Sequence, residues 1–594
     1  MKQNIPQRIR QLRDLMAKNG IDAVIIPQTD PHQSEYLADH WQVRRWLSGF
    51  TGSAGALVVT AGNAFLWADS RYWLQADNQL KDTGIGVMKE GMPGVPEINR
   101  WIIDNLKSGQ TVGIDGMVFS AAAVKAMKAD FAKHGIKLDT SFDPAAEWTD
   151  RPTLPLVPVF IHEEKYAGES TASKLAKILD NANSQGAQEA FISDLAEIAW
   201  ALNIRSSDVE SNPVTMAFLH IAPAESTLFV EEAKITPEVK KYLDDNNVAI
   251  APYRSVTDRM KSLPAGKSIL INPAQTAFRL TEILADNAVQ GSSPVAMLKA
   301  VKNETQIKGV RNAMEKDGAA LVYSFMEIEA ALREGKTITE MDVAEILTKH
   351  RSAQQLYFDQ SFDTIAGYGP HGAIVHYSAT PETNVTIFPE NLLLIDSGAN
   401  YLDGTTDITR TIALGEPTPQ QKRDFTLVMK GHIALAQAVY PAGTRGAQLD
   451  ALARIFLWKD GLSFLHGTGH GVGHFLNVHE GPQSIRLNDT LAPLTPGMIT
   501  SDEPGVYRAD EYGIRCENLV LTVPAMTTEF GEFYKFEVLT LFPFDLNLFD
   551  TGIMSDDEIE WLNEYHAEVR RRLAPRLDDK AQKWLEQKTQ TLKR

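Results

Sequence analysis

Five side chains of the kinds that bind metal ions stand in one stretch of this chain: Asp396, Asp407, His470, Glu503 and Glu517. Four carboxylates and one imidazole bring together too much negative charge to remain without a cationic partner. An oxygen-rich set of this kind favours a hard divalent cation such as Mn²⁺. Two such ions about 3.5–4 Å apart can hold a hydroxide and polarise a carbonyl group at the same time. The chain must fold so that these positions meet, and the set predicts a two-metal hydrolase.

The composition is that of a globular protein with a strong negative charge. The 594 residues are 43% hydrophobic and 23% charged, and the formal net charge is −18 without any long basic run. This balance disfavours nucleic acid or an anionic membrane as the main partner. No stretch approaches the roughly 18 uninterrupted apolar residues of a transmembrane helix.

Cys516 is the only cysteine. A single thiol can form no intramolecular disulfide and can build neither a thiolate zinc site nor an iron–sulfur cluster, which fits a reducing compartment. The first twenty residues lack the apolar core of a signal peptide, and Ile9, Leu12 and Met16 follow helical spacing instead. We therefore expect an amphipathic helix and a cytoplasmic location; an organellar transit peptide is the alternative, and Asp14 argues against it.

The N-terminal half contains a similar pattern twice. Segments typical of strands come first at 21–27, 55–60, 64–69 and 111–115. A second series follows at 189–194, 214–222, 226–232 and 268–272. Each series has a helix first and a strand pair joined by a tight turn in its middle. We predict α/β and α+β structure, with two similar α/β domains at 1–155 and 156–302 and a third domain with a helical tail at 303–594.

Two capping boxes predict where helices of the third domain begin. Asn303 with Gln306 precedes one helical pattern, and Ser555 with Glu558 precedes another. The second pattern has a single apolar stripe, which favours a helix docked on its own domain over a helix that binds a partner. The stripe consists of Ile559, Leu562, Tyr565 and Val569.

The first two candidate ligands lie in a predicted β-hairpin. Residues 392–414 read as the strand LLLID, a turn with Asp403 and Gly404, and the strand TTDITRTIAL. Asp396 and Asp407 can then point into one space. Residues 392–395 are apolar and typical of a buried strand, so the carboxylate of Asp396 at its end also needs a partner.

The segment HGTGHGVGH places His466 and His470 four residues apart, as in zinc-binding helices. Its four glycines make a helix improbable, so a thermolysin-like site is disfavoured. Glycine here suggests a backbone that passes close to a bound substrate. His474 reads as an ordinary core histidine.

The remaining ligands lie in extended segments. Pro504 pushes Glu503 towards an extended conformation. If YGIRCENLVL is one strand, Arg515 and Glu517 share one face, and Cys516 on the other face is a buried apolar residue. Arg515 either contacts substrate or forms a structural ion pair.

The ordered motifs GAIVHY, LLLIDSGANYLDGTTDITRT, HGTGHGVGHFLNVHEGP, SDEPGVY and GIRCENLV resemble the signatures of the pita-bread metallopeptidases. The likeness spans residues 303–545. GFTGSAGALVVT and WADSRYWLQA near the N-terminus are also similar to that family, and the two preceding α/β domains resemble its three-domain cytosolic aminopeptidase P members. The resemblance implies creatinase-N-like domains before a pita-bread catalytic domain.

The resemblance also implies roles at the site. Two Mn²⁺ ions are expected, with Co²⁺ or Zn²⁺ as substitutes. Asp396 would hold one ion, His470 and Glu503 the other, and Asp407 and Glu517 would bridge. The remaining expected catalytic or substrate-binding residues are His376, His466, His479, Glu503 as a proton relay, and Arg515.

The implied reaction removes one residue from peptides that begin Xaa-Pro, and the implied assembly is a homodimer. The nearest alternative is a prolidase restricted to dipeptides, which uses the same ligands and is disfavoured by the extra N-terminal domain. Methionine aminopeptidase is a more distant alternative for the same reason. A non-catalytic peptide-binding protein of the same fold is the alternative from another class, and the retention of all five ligands argues against it.

Overall fold

The computed structural model describes residues 4–594, which form two compact units. The first unit contains the chain up to His162 together with Glu169–Val295. The second contains Glu163–Gly168 and Ala296–Arg594. In the described part of the chain, no helix is both long enough and apolar enough to cross a membrane.

The first unit begins with a six-stranded mixed sheet. Its strands are β1 (Ala23–Pro27), β2 (Ala56–Thr60), β3 (Ala64–Ala68), β4 (Gly86–Lys89), β5 (Thr111–Gly113) and β6 (Lys137–Asp139). The helices are α1 (Ile5–Lys18), α2 (Val43–Ser48), α3 (Trp73–Leu80), α4 (Ile98–Asn105) and α5 (Ala121–Ala132). The strand order is β4-β3-β2-β1-β5-β6. Helix α1 buries Ile9, Leu12 and Met16, so the expected amphipathic helix is confirmed; residues 1–3 lie outside the described chain.

A second six-stranded sheet follows. The strands in this stretch are β7 (Phe160–Ile161), β8 (Glu189–Ile192), β9 (Ile204–Arg205), β10 (Ala217–Ile221), β11 (Ser226–Val230), β12 (Val248–Ala251), β13 (Ile269–Ile271) and β14 (Ala288–Gln290). The helices are α6 (Glu164–Ala167), which is counted with the second unit, α7 (Thr171–Ser184), α8 (Leu195–Ala201), α9 (Pro237–Asp245), α10 (Val256–Lys261) and α11 (Phe278–Leu284). Strands β7 and β9 pair separately, and the main order is β12-β11-β10-β8-β13-β14.

The two sheets have the same topology. Numbered along the chain within each sheet, both have the order 4-3-2-1-5-6. In both, strands 1, 2 and 3 pair antiparallel, and the remaining pairs are parallel. The predicted tight turns join β2 to β3 and β10 to β11. The expected repeat of an α/β pattern is confirmed, while the exact boundaries near residues 155 and 302 stay predictions.

The second unit contains helices around three sheets and a hairpin. Its helices are α12 (Ala296–Ala300), α13 (Glu304–Arg333), α14 (Glu340–Ser352), α15 (Pro419–Ala436), α16 (Gly446–Lys459), α17 (Asp556–Leu573) and α18 (Asp579–Lys588). Its strands are β15 (Tyr357–Gln360), β16 (Ile365–Tyr368), β17 (Leu392–Ser397), β18 (Ala399–Tyr401), β19 (Gly404–Thr405), β20 (Ile408–Ala413), β21 (Val439–Pro441), β22 (Gly469–Gly471), β23 (Glu480–Ile485), β24 (Ile499–Asp502), β25 (Gly505–Arg508), β26 (Tyr512–Arg515), β27 (Asn518–Thr528) and β28 (Gly531–Val538). The sheet orders are β15-β18-β19, β16-β17-β20 and β21-β28-β27-β24-β22-β23, and β25 pairs with β26.

Both predicted capping boxes are present. The side chains of Asn303 and Ser555 accept from the backbone N–H groups three residues later, and Gln306 and Glu558 reciprocate. These contacts satisfy N–H groups that have no partner within the helix. The apolar stripe of α17 is buried in the same core as α13 and α15, which confirms that the C-terminal helix docks on its own unit.

Candidate metal centre

The antiparallel pairing predicted around Asp396 and Asp407 is confirmed, but each arm of the predicted hairpin is divided into two strands that belong to two sheets. Strand β17 lies between β16 and β20, so both of its edges are paired. All six of its residues are buried, which explains its continuous apolar run. Asp396 lies opposite Thr409 of β20, and Asp407 comes immediately before β20. The hairpin register therefore brings the two carboxylates to the same end of the sheet.

The other three candidate ligands come from the six-stranded sheet. His470 lies in β22, which pairs with β24. Glu503 follows β24 and Glu517 precedes β27, and the antiparallel pairing of Asp502 with Asn518 places these two strand ends side by side. The backbone N–H of Glu517 donates to the carbonyl of Thr409 at 3.1 Å, which connects this sheet to β20.

Two of the glycines around His470 are required by the close packing of strands, and their expected approach to a substrate stays a prediction. A β-carbon on Gly469 would lie 2.0 Å from the carbonyl oxygen of Ser501, and one on Gly471 would lie 2.2 Å from that of Glu480. The close approach is therefore made to the backbone of neighbouring strands. The expectation that the segment is not a helix is confirmed, since His470 lies in a strand.

Three of the ligand side chains form a compact group. Ligand atoms of Asp407, His470 and Glu517 all lie within 4.8 Å of one another. The Nε2 atom of His470 is 3.4 Å from Asp407 Oδ2 and 3.5 Å from Glu503 Oε1. Asp396 lies outside the compact group but on the same hairpin end, and its Oδ2 accepts from Arg515 at 2.7 Å.

The electrostatics of the group reflect its excess of carboxylates. Burial raises the pKa of Asp396, of Glu503 and, most strongly, of Glu517, and the charge of Asp407 adds to the rise at each. Burial alone would lower the pKa of His470, but the hydrogen bond with Asp407 and the charge of Glu503 outweigh it and raise that pKa to about 9. Each of these shifts indicates that the protein is arranged for more positive charge than its own side chains supply.

The donor set fits a divalent cation. Asp396 Oδ1 and Glu517 Oε1 are buried, and neither has a hydrogen-bond partner among the described residues. Buried carboxylate oxygens are costly unless a hydrogen bond or a cation compensates them. Four carboxylates and one imidazole at this spacing are oxygen-rich, and hard divalent ions take such ligands.

Arg515 forms an ion pair within the site. Its guanidinium donates to Asp396, to Thr409 Oγ1 at 3.2 Å and to Tyr507 Oη at 2.8 Å. Of the two alternatives for this residue, the structure contains the ion pair, and a substrate contact stays a prediction. The expectation that YGIRCENLVL forms one strand is wrong, because β26 ends at Arg515 and β27 begins at Asn518.

The break between β26 and β27 is explained by the hydrogen-bond partners of the two residues in it. The N–H of Cys516 donates to Pro504 O, whereas the N–H of Glu517 donates across to β20, so the chain leaves one sheet and enters another. Cys516 is fully buried, as expected for a small apolar residue, and burial raises its thiol pKa.

The expected pocket histidines lie around the same centre. The ring of His479 is 4.4 Å from that of His470 in an edge-on arrangement. His466 Nε2 is 2.8 Å from Tyr507 Oη. His376 is half-buried, and the carbonyl of the preceding Val375 accepts from Arg515 Nη2 at 3.3 Å. Their catalytic roles stay predictions.

Three further residues at the site were missed in the sequence. Tyr507 lies between His466 and Arg515, Thr409 donates to Glu517 Oε2 at 2.7 Å, and Ser501 donates to Glu503 Oε1 at 3.1 Å. Thr409 could have been found from its place two residues after Asp407, on the same face of a strand. Tyr507 and Ser501 gave no comparable signal.

Family models cover nearly the whole chain. Residues 308–524 match the model of metallopeptidase family M24, and residues 532–592 match the model of its C-terminal region. Residues 8–148 and 150–306 each match a model of the creatinase/prolidase N-terminal domain. The chain belongs to metallopeptidase family M24, with two creatinase-N-like domains before the pita-bread domain.

Relatives that match over nearly the whole chain show which members of the family it resembles. Aminopeptidase P2 of Arabidopsis thaliana is 41% identical over 99% of this chain and 89% of its own length. A probable Xaa-Pro aminopeptidase P of Aspergillus niger is 40% identical over 99% of this chain and 98% of its own length. The structure of the X-prolyl aminopeptidase of Caenorhabditis elegans, described as a cytosolic enzyme with a di-nuclear active site, matches with a TM-score of 0.95 at 34% identity over 99% of both chains. The expected resemblance to aminopeptidase P is confirmed.

Proposed function

We propose that this chain is a metallo-aminopeptidase that releases the first residue from peptides with proline in the second position. The observation that supports it best is the convergence of Asp407, His470 and Glu517 within 4.8 Å in a chain whose full-length relatives are named Xaa-Pro aminopeptidases.

The five ligands are proposed to hold two metal ions, with Mn²⁺ as the native metal and Co²⁺ or Zn²⁺ as substitutes. Asp396 would bind one ion, His470 and Glu503 the other, and Asp407 and Glu517 both. The ions would supply an activated water and stabilise negative charge on the scissile carbonyl oxygen. The oxygen-rich donor set and the two buried carboxylate oxygens without hydrogen bonds support this assignment.

The side chains of the protein itself would position substrate and move protons. Glu503 is proposed to accept a proton from the attacking water through a carboxylate oxygen. His376, His466 and His479 would line the pocket, and an imidazole nitrogen of one of them would donate a proton to the departing proline nitrogen. The hydrogen bond of His466 to Tyr507 and the contact of His479 with His470 support their placement beside the reacting groups.

The proposed substrate has a physical peculiarity that calls for a dedicated pocket. An Xaa-Pro amide has no N–H, and the proline ring fixes the backbone angle φ. The residue before proline is also restricted. Peptidases that recognise an N–H donor or a fully extended substrate therefore fit such a bond poorly.

The proposal is tested by hydrolysis of Arg-Pro-Pro, Ala-Pro and Ala-Ala-Ala with supplied Mn²⁺. Arg-Pro-Pro should be cleaved between its first two residues. Replacing proline by alanine should reduce kcat/KM roughly 10–200-fold, because a pocket shaped for the ring loses its methylene contacts. Chelator-treated protein should lose activity and regain it best with Mn²⁺. Cleavage of the dipeptide alone would make prolidase the better assignment, and full activity in metal-free protein would refute the two-metal centre.

The non-catalytic alternative has no supporting feature at this site. A peptide-binding protein of this fold has no need to keep four carboxylates and a histidine together, since their mutual repulsion is unfavourable without a metal. Measurement of bound metal separates the two classes.

We also propose a homodimer in the cytoplasm. The dimer rests on the resemblance to aminopeptidase P, and Ile455 and Trp458, one turn apart on α16 and 41% and 45% exposed, are apolar side chains that such a contact would cover. The cytosolic description of the Caenorhabditis elegans enzyme supports the location. Sedimentation should give twice the chain mass of 65.7 kDa; a mass of one chain would contradict the dimer.

A further inference from the structure

Arg410 is a fully buried arginine behind the candidate metal centre. It lies in β20 and is 2% exposed. Its five guanidinium N–H groups are shared among six acceptors, which are four main-chain carbonyls and two side chains: Thr409 O at 2.9 Å, Glu517 O at 2.5 Å, Phe542 O at 2.7 Å, Pro543 O at 3.1 Å, Asn518 Oδ1 at 2.9 Å and Tyr565 Oη at 2.9 Å. None of these six acceptors is a carboxylate oxygen. The guanidinium carbon also lies 3.9 Å from the centre of the Phe544 ring.

On one side, these contacts hold the main chain next to two ligands. The carbonyl of Glu517 accepts from Arg410 Nη1, and so does that of Thr409, two residues after Asp407. Thr409 and Glu517 are joined again by a side-chain hydrogen bond and a backbone hydrogen bond. Arg410 therefore connects the strand that follows Asp407 to the strand that follows Glu517.

On the other side, the contacts reach the C-terminal helix α17. Arg410 Nη2 donates to the hydroxyl of Tyr565, which lies 2.9 Å from the carbonyl of Phe542. The Tyr565 ring stacks on that of Trp561 at a 5° interplanar angle. One planar guanidinium thus connects both ligand strands to α17, whose Tyr565 lies 155 residues after Arg410. The fork geometry of arginine suits such a role.

The negative charge of the candidate metal centre can compensate the buried positive charge of Arg410. A buried cation that bonds only neutral acceptors needs negative charge nearby. The four carboxylates of the centre supply it, because Arg515 beside Asp396 and His470 beside Asp407 and Glu503 do not balance four negative charges. Arg410 lies directly behind Glu517, whose carbonyl it binds.

We propose that Arg410 is a positioning residue: it fixes the main chain from which Asp407 and Glu517 project, and through Tyr565 it makes α17 part of the support of the metal centre. This inference rests on the proposed function, because it takes these two carboxylates as metal ligands. Residues that orient the ligands of a metal typically contribute 10–100-fold to metal affinity or activity.

The first test is Arg410→Lys, followed by calorimetric Mn²⁺ titration of chelator-treated protein and by kinetics. Lysine keeps the charge but presents its donors from one nitrogen, so it cannot reach acceptors on both sides. We expect Mn²⁺ affinity to fall roughly 10–100-fold. At limiting metal kcat should fall with it, while KM for Arg-Pro-Pro changes little, because no substrate contact is removed.

The second test compares two variants of α17 and does not depend on Arg410→Lys folding. Tyr565→Phe removes the hydroxyl that binds Arg410 and keeps the ring stack on Trp561. Val569→Ala removes buried volume from the same helix and touches neither Arg410 nor a ligand. Tyr565→Phe should lower Mn²⁺ affinity, and it should also lower the melting temperature, because the buried hydroxyl binds main-chain groups of Thr540 and Phe542 as well as Arg410. Val569→Ala should lower the melting temperature and leave Mn²⁺ affinity unchanged.

The outcomes separate this inference from the proposed function. If wild-type protein binds no Mn²⁺, both are wrong. If wild-type protein binds Mn²⁺ and Arg410→Lys binds it equally well, the proposed function stands and the positioning role is wrong. If Val569→Ala loses affinity as Tyr565→Phe does, the loss follows from helix stability and the positioning role is again overturned.

Discussion

Asp407→Ala is expected to lose bound metal and peptidase activity together. The carboxylate of Asp407 lies within 4.8 Å of ligand atoms of both His470 and Glu517, and it is one of the two residues to which we assign contact with both ions. Activity should fall by more than about 10³-fold, because the metal supplies several kcal/mol of charge stabilisation and each 1.36 kcal/mol corresponds to a factor of ten in rate. Metal analysis and kcat/KM on the same sample measure both effects.

The same variant has an opposite expected effect on the stability of the metal-free protein. The charge of Asp407 raises the pKa of Asp396, of Glu503 and of Glu517 beyond the effect of burial, so its removal relieves repulsion at three carboxylates and loses one hydrogen bond with His470. Metal-free Asp407→Ala should unfold at a temperature no lower than that of metal-free wild-type protein. Asp460→Ala, which removes an exposed ion pair with Arg423, is the control and should keep metal and activity. Retention of two ions by Asp407→Ala would show that it does not bridge.

His376→Ala is expected to keep its metal and lose turnover. We assign His376 no coordinating role, and the adjacent carbonyl of Val375 bonds Arg515 at the edge of the site. A proton donor or pocket donor at such a place contributes about 10²–10⁴-fold to rate. Metal content should equal that of wild-type protein, and the loss of activity should appear as a lower kcat.

A matched histidine variant controls for this result. His350 lies on α14 and pairs with Glu327, outside the ligand group, so His350→Ala should leave kcat and metal content unchanged. Loss of metal in His376→Ala would make that residue a ligand. Turnover equal to wild type would remove it from the catalytic set.

Much of the fold follows from local pattern. Asn303 and Ser555 cap helices because their side chains accept the N–H groups three residues on, a contact that needs only neighbours in the sequence. The repeated α/β pattern was visible because strand and helix periodicities are local as well. The glycines after His466 excluded a helix for the same reason. The backbone carbonyls that leave no room for a side chain at Gly469 and Gly471 are those of Ser501 and Glu480, which belong to other strands.

The sequence by itself determined the family and the five candidate ligands, because carboxylate and imidazole chemistry in five ordered motifs is readable residue by residue. Only the tertiary structure decided what stands behind those ligands. Arg515 meets Asp396 across 119 residues, and Arg410 meets Tyr565 across 155. Such partners depend on strand register and on where a C-terminal helix docks, and a one-residue slip would turn Arg515, Asp396 or Arg410 to the opposite face of its strand. The candidate ligands were therefore open to prediction, and the residues proposed to hold them in place were not.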